Sequence, residues 1–144
     1  MKPLPHIYRM HLASRAGSYA VFSDAGSPEL RIAPPADFDG TGDVWSPEHL
    51  LLAAVESCYF FTFQAIARAS KLDFTSLELS GEGIVDRQNG ITCFSAIVLR
   101  PTLRLAVGND RDRAMRILEK SEQACLISAS LSTPVRLEPE IVID

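Results

Sequence analysis

The sequence predicts an α+β fold in which antiparallel sheets surround one long, buried helix. Three features of the chain point to it. Stretches of period-two alternation stand on both sides of a continuous apolar segment. That segment, residues 47 to about 70, is far too long for a strand. The order of elements is strands, long helix, hairpin, helices, strand, the segregated layout of an α+β domain.

At 144 residues, with 47% apolar and 22% charged side chains, the chain is expected to form a single domain, 1–144, with its own core. The formal charge is −4, and the 14 Lys and Arg are scattered without a basic tract. No nucleic-acid partner is therefore expected. The N-terminal stretch MKPLPHIYRMHLAS lacks the apolar run of a secretory signal. Residues 50–67 are apolar enough to raise a membrane question. Glu56 and Gln64 lie centrally in them and no cationic flank precedes them, which favours a buried helix, no membrane association and a cytoplasmic protein.

The elements follow in order. Residues 6–23 alternate loosely and end in a short strand at 19–22. A turn, DAGSP, leads to a second strand at 29–32. The polar loop PPADFDGTGDV then delivers the chain to Ser46, a plausible N-cap. Pro47 suits the first helical position, and Glu48 complements the positive helix end. The helix runs to about Ser70, with Lys71 near its end. Because it is apolar on nearly every face, a second copy of the chain is expected to help cover it. Residues 74–86 read as a long strand, Gln88-Asn-Gly as a tight turn, and 91–105 as the returning strand, interrupted at Pro101. Asn109 or Asp110 caps a helix through Lys120, SEQACLISAS forms a short second helix, and 135–143 closes with a strand.

The cysteines, Cys58, Cys93 and Cys125, are too few for a disulfide framework and lack zinc spacing. Cys58 stands mid-helix and Cys125 near the start of the short helix, where partial positive charge favours a thiolate. Each is either a small buried hydrophobe or a reactive centre, and spacing alone leaves both open. Cys93, in a strand, reads as packing. A thiolate in an apolar site needs a cation or donors; the candidates are Arg15, in SRAG, and Glu48. Glu48 precedes Cys58 by ten residues, which on a straight helix is ~15 Å of rise and roughly 80° of rotation. It cannot touch that sulfur directly, but it can orient an arginine or serve a partner chain. Otherwise Glu48 is a helix-dipole residue and Arg15 a solvated loop residue. Glu56 points ~160° away from Cys58 and reads as an ion-pair or subunit-contact residue. His49 reads as a helix-end polar group. Tyr59, Phe60, Phe61 and Phe63 read as core, interface or the wall of an apolar pocket, and Trp45 as a staple or pocket wall.

The segment WSPEHLLLAAVESCYFFTF resembles the Pro-Glu, Leu, Ala-Ala, Cys stretch of the OsmC/Ohr family, the osmotically inducible and organic hydroperoxide resistance proteins. SEQACLIS looks like that family's second-cysteine segment, and the order of elements matches over essentially the whole chain. The resemblance implies an OsmC-like fold, an intertwined homodimer and thiol-dependent reduction of organic hydroperoxides. It assigns Cys58 as the peroxidatic and Cys125 as the resolving cysteine, joined in an intramolecular disulfide. Glu48 becomes the glutamate that holds an activating arginine, with Arg15 the candidate. No metal, flavin or haem is implied; an external dithiol, such as a lipoyl protein or another thiol, restores the pair. Two departures stand out: Leu126 follows Cys125 where the family usually has proline, and the glycine-rich approach to the arginine shrinks to Arg15-Ala-Gly17. From a different class, the same fold suits a non-catalytic dimer that binds a small hydrophobic ligand or senses redox state.

Overall fold

The structure is a computed structural model that describes residues 3–14, 19–23 and 26–144. The chain divides into two compact units, Met1–Leu50 and Leu51–Asp144.

In the first unit, β1 (His11–Ser14), β2 (Ala20–Ser23) and β3 (Leu30–Ile32) form an antiparallel sheet in that order. Two of these strands are expected from the sequence. β1 pairs His11 with Ser23 and Ser14 with Ala20, and its four residues, HLAS, are too few to show a clear alternation. A single 3-10 turn, Ala36–Phe38, breaks the following loop. The chain then returns alongside β3, where the Ala33 N–H donates to the Trp45 carbonyl at 3.0 Å. Ser46 caps the long helix α1 (Pro47–Ala69) as expected. Its hydroxyl accepts the His49 N–H at 3.2 Å and lies 2.8 Å from His49 Nδ1, so a buried serine and a histidine side chain close the first turn together.

At its other end, α1 stops through a Schellman arrangement. Lys71 takes a left-handed conformation, with φ 53°. Its N–H bonds the Arg68 carbonyl at 3.1 Å, while the Leu72 N–H reaches the Ala67 carbonyl at 2.9 Å. Leu72 and Ala67 are both buried, which gives the motif its usual apolar contact.

The second unit is built on a mixed four-stranded sheet. β4 (Ser76–Gln88) and β5 (Ile91–Leu105) pair antiparallel along their whole length. The two-residue turn between them puts Asn89 and Gly90 at positive φ (50° and 81°), the geometry that matches strand twist in a tight hairpin. After β5 come α2 (Arg111–Gln123), α3 (Leu126–Ala129), β6 (Val135–Leu137) and β7 (Glu140–Ile143). Asp110 caps α2 by accepting the Arg113 N–H at 3.0 Å. The helices carry the chain back, so β6 and β7 run parallel to β5, a direction that periodicity does not reveal.

Two details correct the sequence reading. The expected closing strand is split at Glu138 and Pro139. β5 is not interrupted at Pro101, which pairs with Leu79 and is buried. The two corrections share one cause. The Ile97 N–H, which donates to the Pro134 carbonyl, and the Leu99 and Leu105 carbonyls, which accept from Glu138 and Asp144, all face the β6–β7 side. The N–H that Pro101 lacks therefore faces the break between those strands, where no ladder bond is needed.

The core lies between α1, the sheet and α2. Val55, Tyr59, Phe63 and Ala67, spaced by four, form the buried stripe of α1 against Ile97, Leu99, Leu103 and Leu118. The Tyr59 hydroxyl donates to the Leu118 carbonyl at 3.2 Å. By length and composition α1 could also cross a bilayer, but a stripe packed into a sheet is the property of a core helix. Its other face is open in the single chain, where Phe61 is 65% exposed.

Candidate active site

Cys58 sits on α1 one residue before Tyr59, at the margin of the buried stripe, and is half-buried. Cys125 is the N-cap of α3 and is fully buried. The fold brings them together: Cys125 is close enough to donate a hydrogen bond to the Cys58 sulfur, and both are free thiols. The Ile127 N–H also donates to Cys58 Sγ, at 3.5 Å. This works because the first amides of a helix have no intrahelical acceptor.

The two thiols titrate in opposite directions. Burial alone would push Cys58 up, but the donors around it (the Ile127 amide, the Cys125 thiol, the Leu126 amide and the Thr62 hydroxyl) outweigh burial and hold it below the ordinary thiol range. For Cys125, burial dominates and raises it; a neighbouring Cys58 thiolate raises it further, and the Ser128 donors oppose this only in part. Of the two, Cys58 is therefore the more acidic thiol and Cys125 the less acidic. From the sequence, the positive end of the short helix is expected to favour a Cys125 thiolate. The structure corrects this: the α3 amides of Leu126 and Ile127 serve the other sulfur.

The remaining candidates fall elsewhere. Arg15 lies outside the described residues. Glu48 belongs to the first turn of α1; its Oε2 is buried and has no hydrogen-bond partner among the described residues. Burial raises the Glu56 carboxyl above the usual range, opposed in part by the Gly81 backbone N–H that it accepts; among the described residues this backbone contact stands in place of the expected ion pair, and the alternative of a subunit contact is left open by the single chain. Phe60 and Phe61 line an apolar groove of about 320 Å³ with Ala53, Glu56, Ser57 and Leu79, a lining that does not include Cys58. Tyr59 and Phe63 are core. Trp45 is a pocket wall, in a depression of about 550 Å³ in the first unit, with its ring edge-on to His49. Cys93 lies 3.8 Å from Gln88 Oε1 on the β4–β5 hairpin.

Sequence reasoning missed Thr62, Ile127 and Ser128. Thr62 is one helical turn beyond Cys58, a signal that was available. The amide donors were not legible, because they depend on where α3 starts.

A family model described as OsmC-like protein matches residues 40–140. The chain belongs to the OsmC-like family. Both cysteines fall within the matched span. The chain is 31% identical over 120 residues to the uncharacterized protein YmaD of Bacillus subtilis, covering 81% of this chain and 80% of that one. Among solved structures, an OsmC-like protein of Mycoplasma pneumoniae superposes with a TM-score of 0.82 at 14% identity, covering 96% of this chain and 99% of that one. A Legionella pneumophila protein described as an organic hydroperoxide resistance protein and predicted redox protein superposes with a TM-score of 0.74 at 17% identity, covering 95% and 98%. These superpositions establish the OsmC-like fold.

Proposed function

We propose that this OsmC-like protein is a cytoplasmic, homodimeric thiol peroxidase that reduces organic hydroperoxides. The observation that carries the reading is the pairing of a half-buried Cys58, held below the ordinary thiol range, with a buried Cys125 within hydrogen-bonding reach. Names given to fold relatives, such as the hydroperoxide resistance protein of Legionella, support the same chemistry.

In this reading the Cys58 thiolate attacks the distal oxygen of ROOH. The O–O bond breaks, the alcohol leaves with a proton, and Cys58 becomes a sulfenic acid. The Cys125 sulfur then attacks Cys58 Sγ, water departs, and a Cys58–Cys125 disulfide forms. An external dithiol, such as a lipoyl protein, supplies two electrons and two protons to restore both thiols. No metal, flavin or haem takes part. Arg15, oriented by Glu48, adds a cation beside the thiolate. Glu48 Oε2, buried and without a hydrogen-bond partner among the described residues, supports a role for that carboxylate in holding a donor. The open, Phe61-bearing face of α1 supports burial against a second copy.

Site-directed variants test the scheme. Cys58→Ser abolishes turnover of cumene hydroperoxide with a dithiol reductant. Cys125→Ser permits one turnover, after which mass spectrometry finds Cys58 overoxidised to the sulfinic or sulfonic acid. Full peroxidase activity in the Cys58→Ser protein contradicts the proposal and leaves ligand binding in the α1 groove as the better reading.

A further inference from the structure

The two sulfurs of the proposed redox pair differ in access. Cys125 is fully buried while Cys58 is half-buried, so an incoming thiolate reaches Cys58 Sγ and Cys125 must be the leaving group. A leaving thiolate departs more slowly the more basic it is. Cys125 would form its charge where no water solvates it.

One group next to Cys125 is placed to solve this. Ser128 Oγ is buried and has no hydrogen-bond partner among the described residues. A buried hydroxyl left without a partner is costly and calls for an explanation. Its neighbour is Cys125: Ser128 stands three residues on in α3, and its hydroxyl and amide are the groups that lower the Cys125 thiol against the burial that raises it. The Cys125 thiol makes no well-formed capping bond to α3. The hydroxyl is therefore uncommitted beside Cys125 before the charge exists, an arrangement that can stabilise a developing anion at low cost.

We propose that Ser128 donates a hydrogen bond to the Cys125 thiolate as the disulfide is reduced, and so sets the rate and direction of the reductive half-reaction. This rests on the reading of Cys58 and Cys125 as a redox pair. A thiolate of the external dithiol bonds to Cys58 Sγ, and the Cys58–Cys125 bond breaks with its electron pair going to Cys125. Ser128 stabilises that charge until a proton arrives. The second thiol of the reductant then attacks its own sulfur in the mixed disulfide and releases the Cys58 thiolate.

The test begins from the full-length protein oxidised with diamide, so that the disulfide is made without any peroxidase activity. Reduction by dithiothreitol is followed in wild type, Ser128→Ala and Ser128→Thr. Ser128→Ala slows reduction roughly tenfold, the effect of losing one hydrogen bond to a charged group. Ser128→Thr, which keeps the hydroxyl, stays within about threefold of wild type. Single-turnover oxidation of reduced Ser128→Ala by hydroperoxide changes far less than its reduction, because Cys58 has its own donors. Wild-type reduction rates in Ser128→Ala overturn the proposal, as does an equal loss in both half-reactions, which marks a structural role. Failure of diamide to link Cys58 to Cys125 overturns it too. Hydroperoxide inactivity combined with slowed Ser128→Ala reduction instead overturns the peroxidase reading and leaves Ser128 in its role.

Discussion

Cys58 and Cys125 begin with the same intrinsic acidity and are driven apart by their surroundings. Alkylation by iodoacetamide, mapped by mass spectrometry across pH, should show Cys58 reacting with a midpoint below the ~8.5 of a free cysteine. Cys125 should react slowly and only at higher pH. Equal midpoints would remove the electrostatic basis of the account. Linkage follows the same signs. The depressed value of Cys58 adds stability that is complete above the free-thiol value and is lost as pH falls through the folded value; Cys125, raised, runs the other way. Glu56 is also raised, by burial, so its contribution is complete below the ordinary carboxylate range and is lost as pH rises through its folded value. Glu56→Gln keeps an acceptor for Gly81 without the charge. It should stabilise the protein at neutral pH by about 0.5 kcal/mol or less, since the site is only half-buried, and not at acid pH. Denaturant titrations at both pH values check this.

At the scale of elements, two places are open to direct test. Lys71 pays the cost of a left-handed conformation without being glycine, so Lys71→Gly should stabilise by about 0.5–1 kcal/mol in urea unfolding. On β4, Gly81 and Gly83 let α1 and Phe94 approach the strand. A Cβ at Gly81 meets the flexible end of Glu56, whereas one at Gly83 meets the Phe94 ring and Leu52. Gly83→Ala should therefore destabilise by about 1–3 kcal/mol and Gly81→Ala by less, the reverse of what strand propensity alone suggests. Such elements also show what the sequence makes legible. The Ser46-Pro47 start of α1, the Asn89-Gly90 turn and the span of β5 follow from local chemistry, and the structure reproduces them. Strand β1, the split at Pro139 and the fit of Pro101 do not, since each depends on which strand lies alongside. The candidate site divides in the same way. The cysteines are visible as residue types and Thr62 as a neighbour on the helix, but the amide donor at Cys58 comes from a contact across 69 positions in sequence, between Ile127 and Cys58.

For the whole molecule, the apolar character of α1 is satisfied on one side by the sheet and left open on the other, where Phe61 stands exposed. The homodimer proposal predicts a particle of twice the 15.8 kDa chain mass by light scattering, and Phe61→Glu should weaken that dimer at least tenfold, as loss of a buried aromatic anchor does. A wild-type monomer would remove that part of the account. The catalytic proposal needs only that the fold unite two sulfurs that lie 67 positions apart in the chain. Its most direct measurement is a count of free thiols before and after one equivalent of cumene hydroperoxide. The fully reduced chain presents three thiols; rapid loss of Cys58 and Cys125 together, with Cys93 left reactive, is the predicted result. Retention of all three, or loss of Cys58 alone without a disulfide, would contradict it.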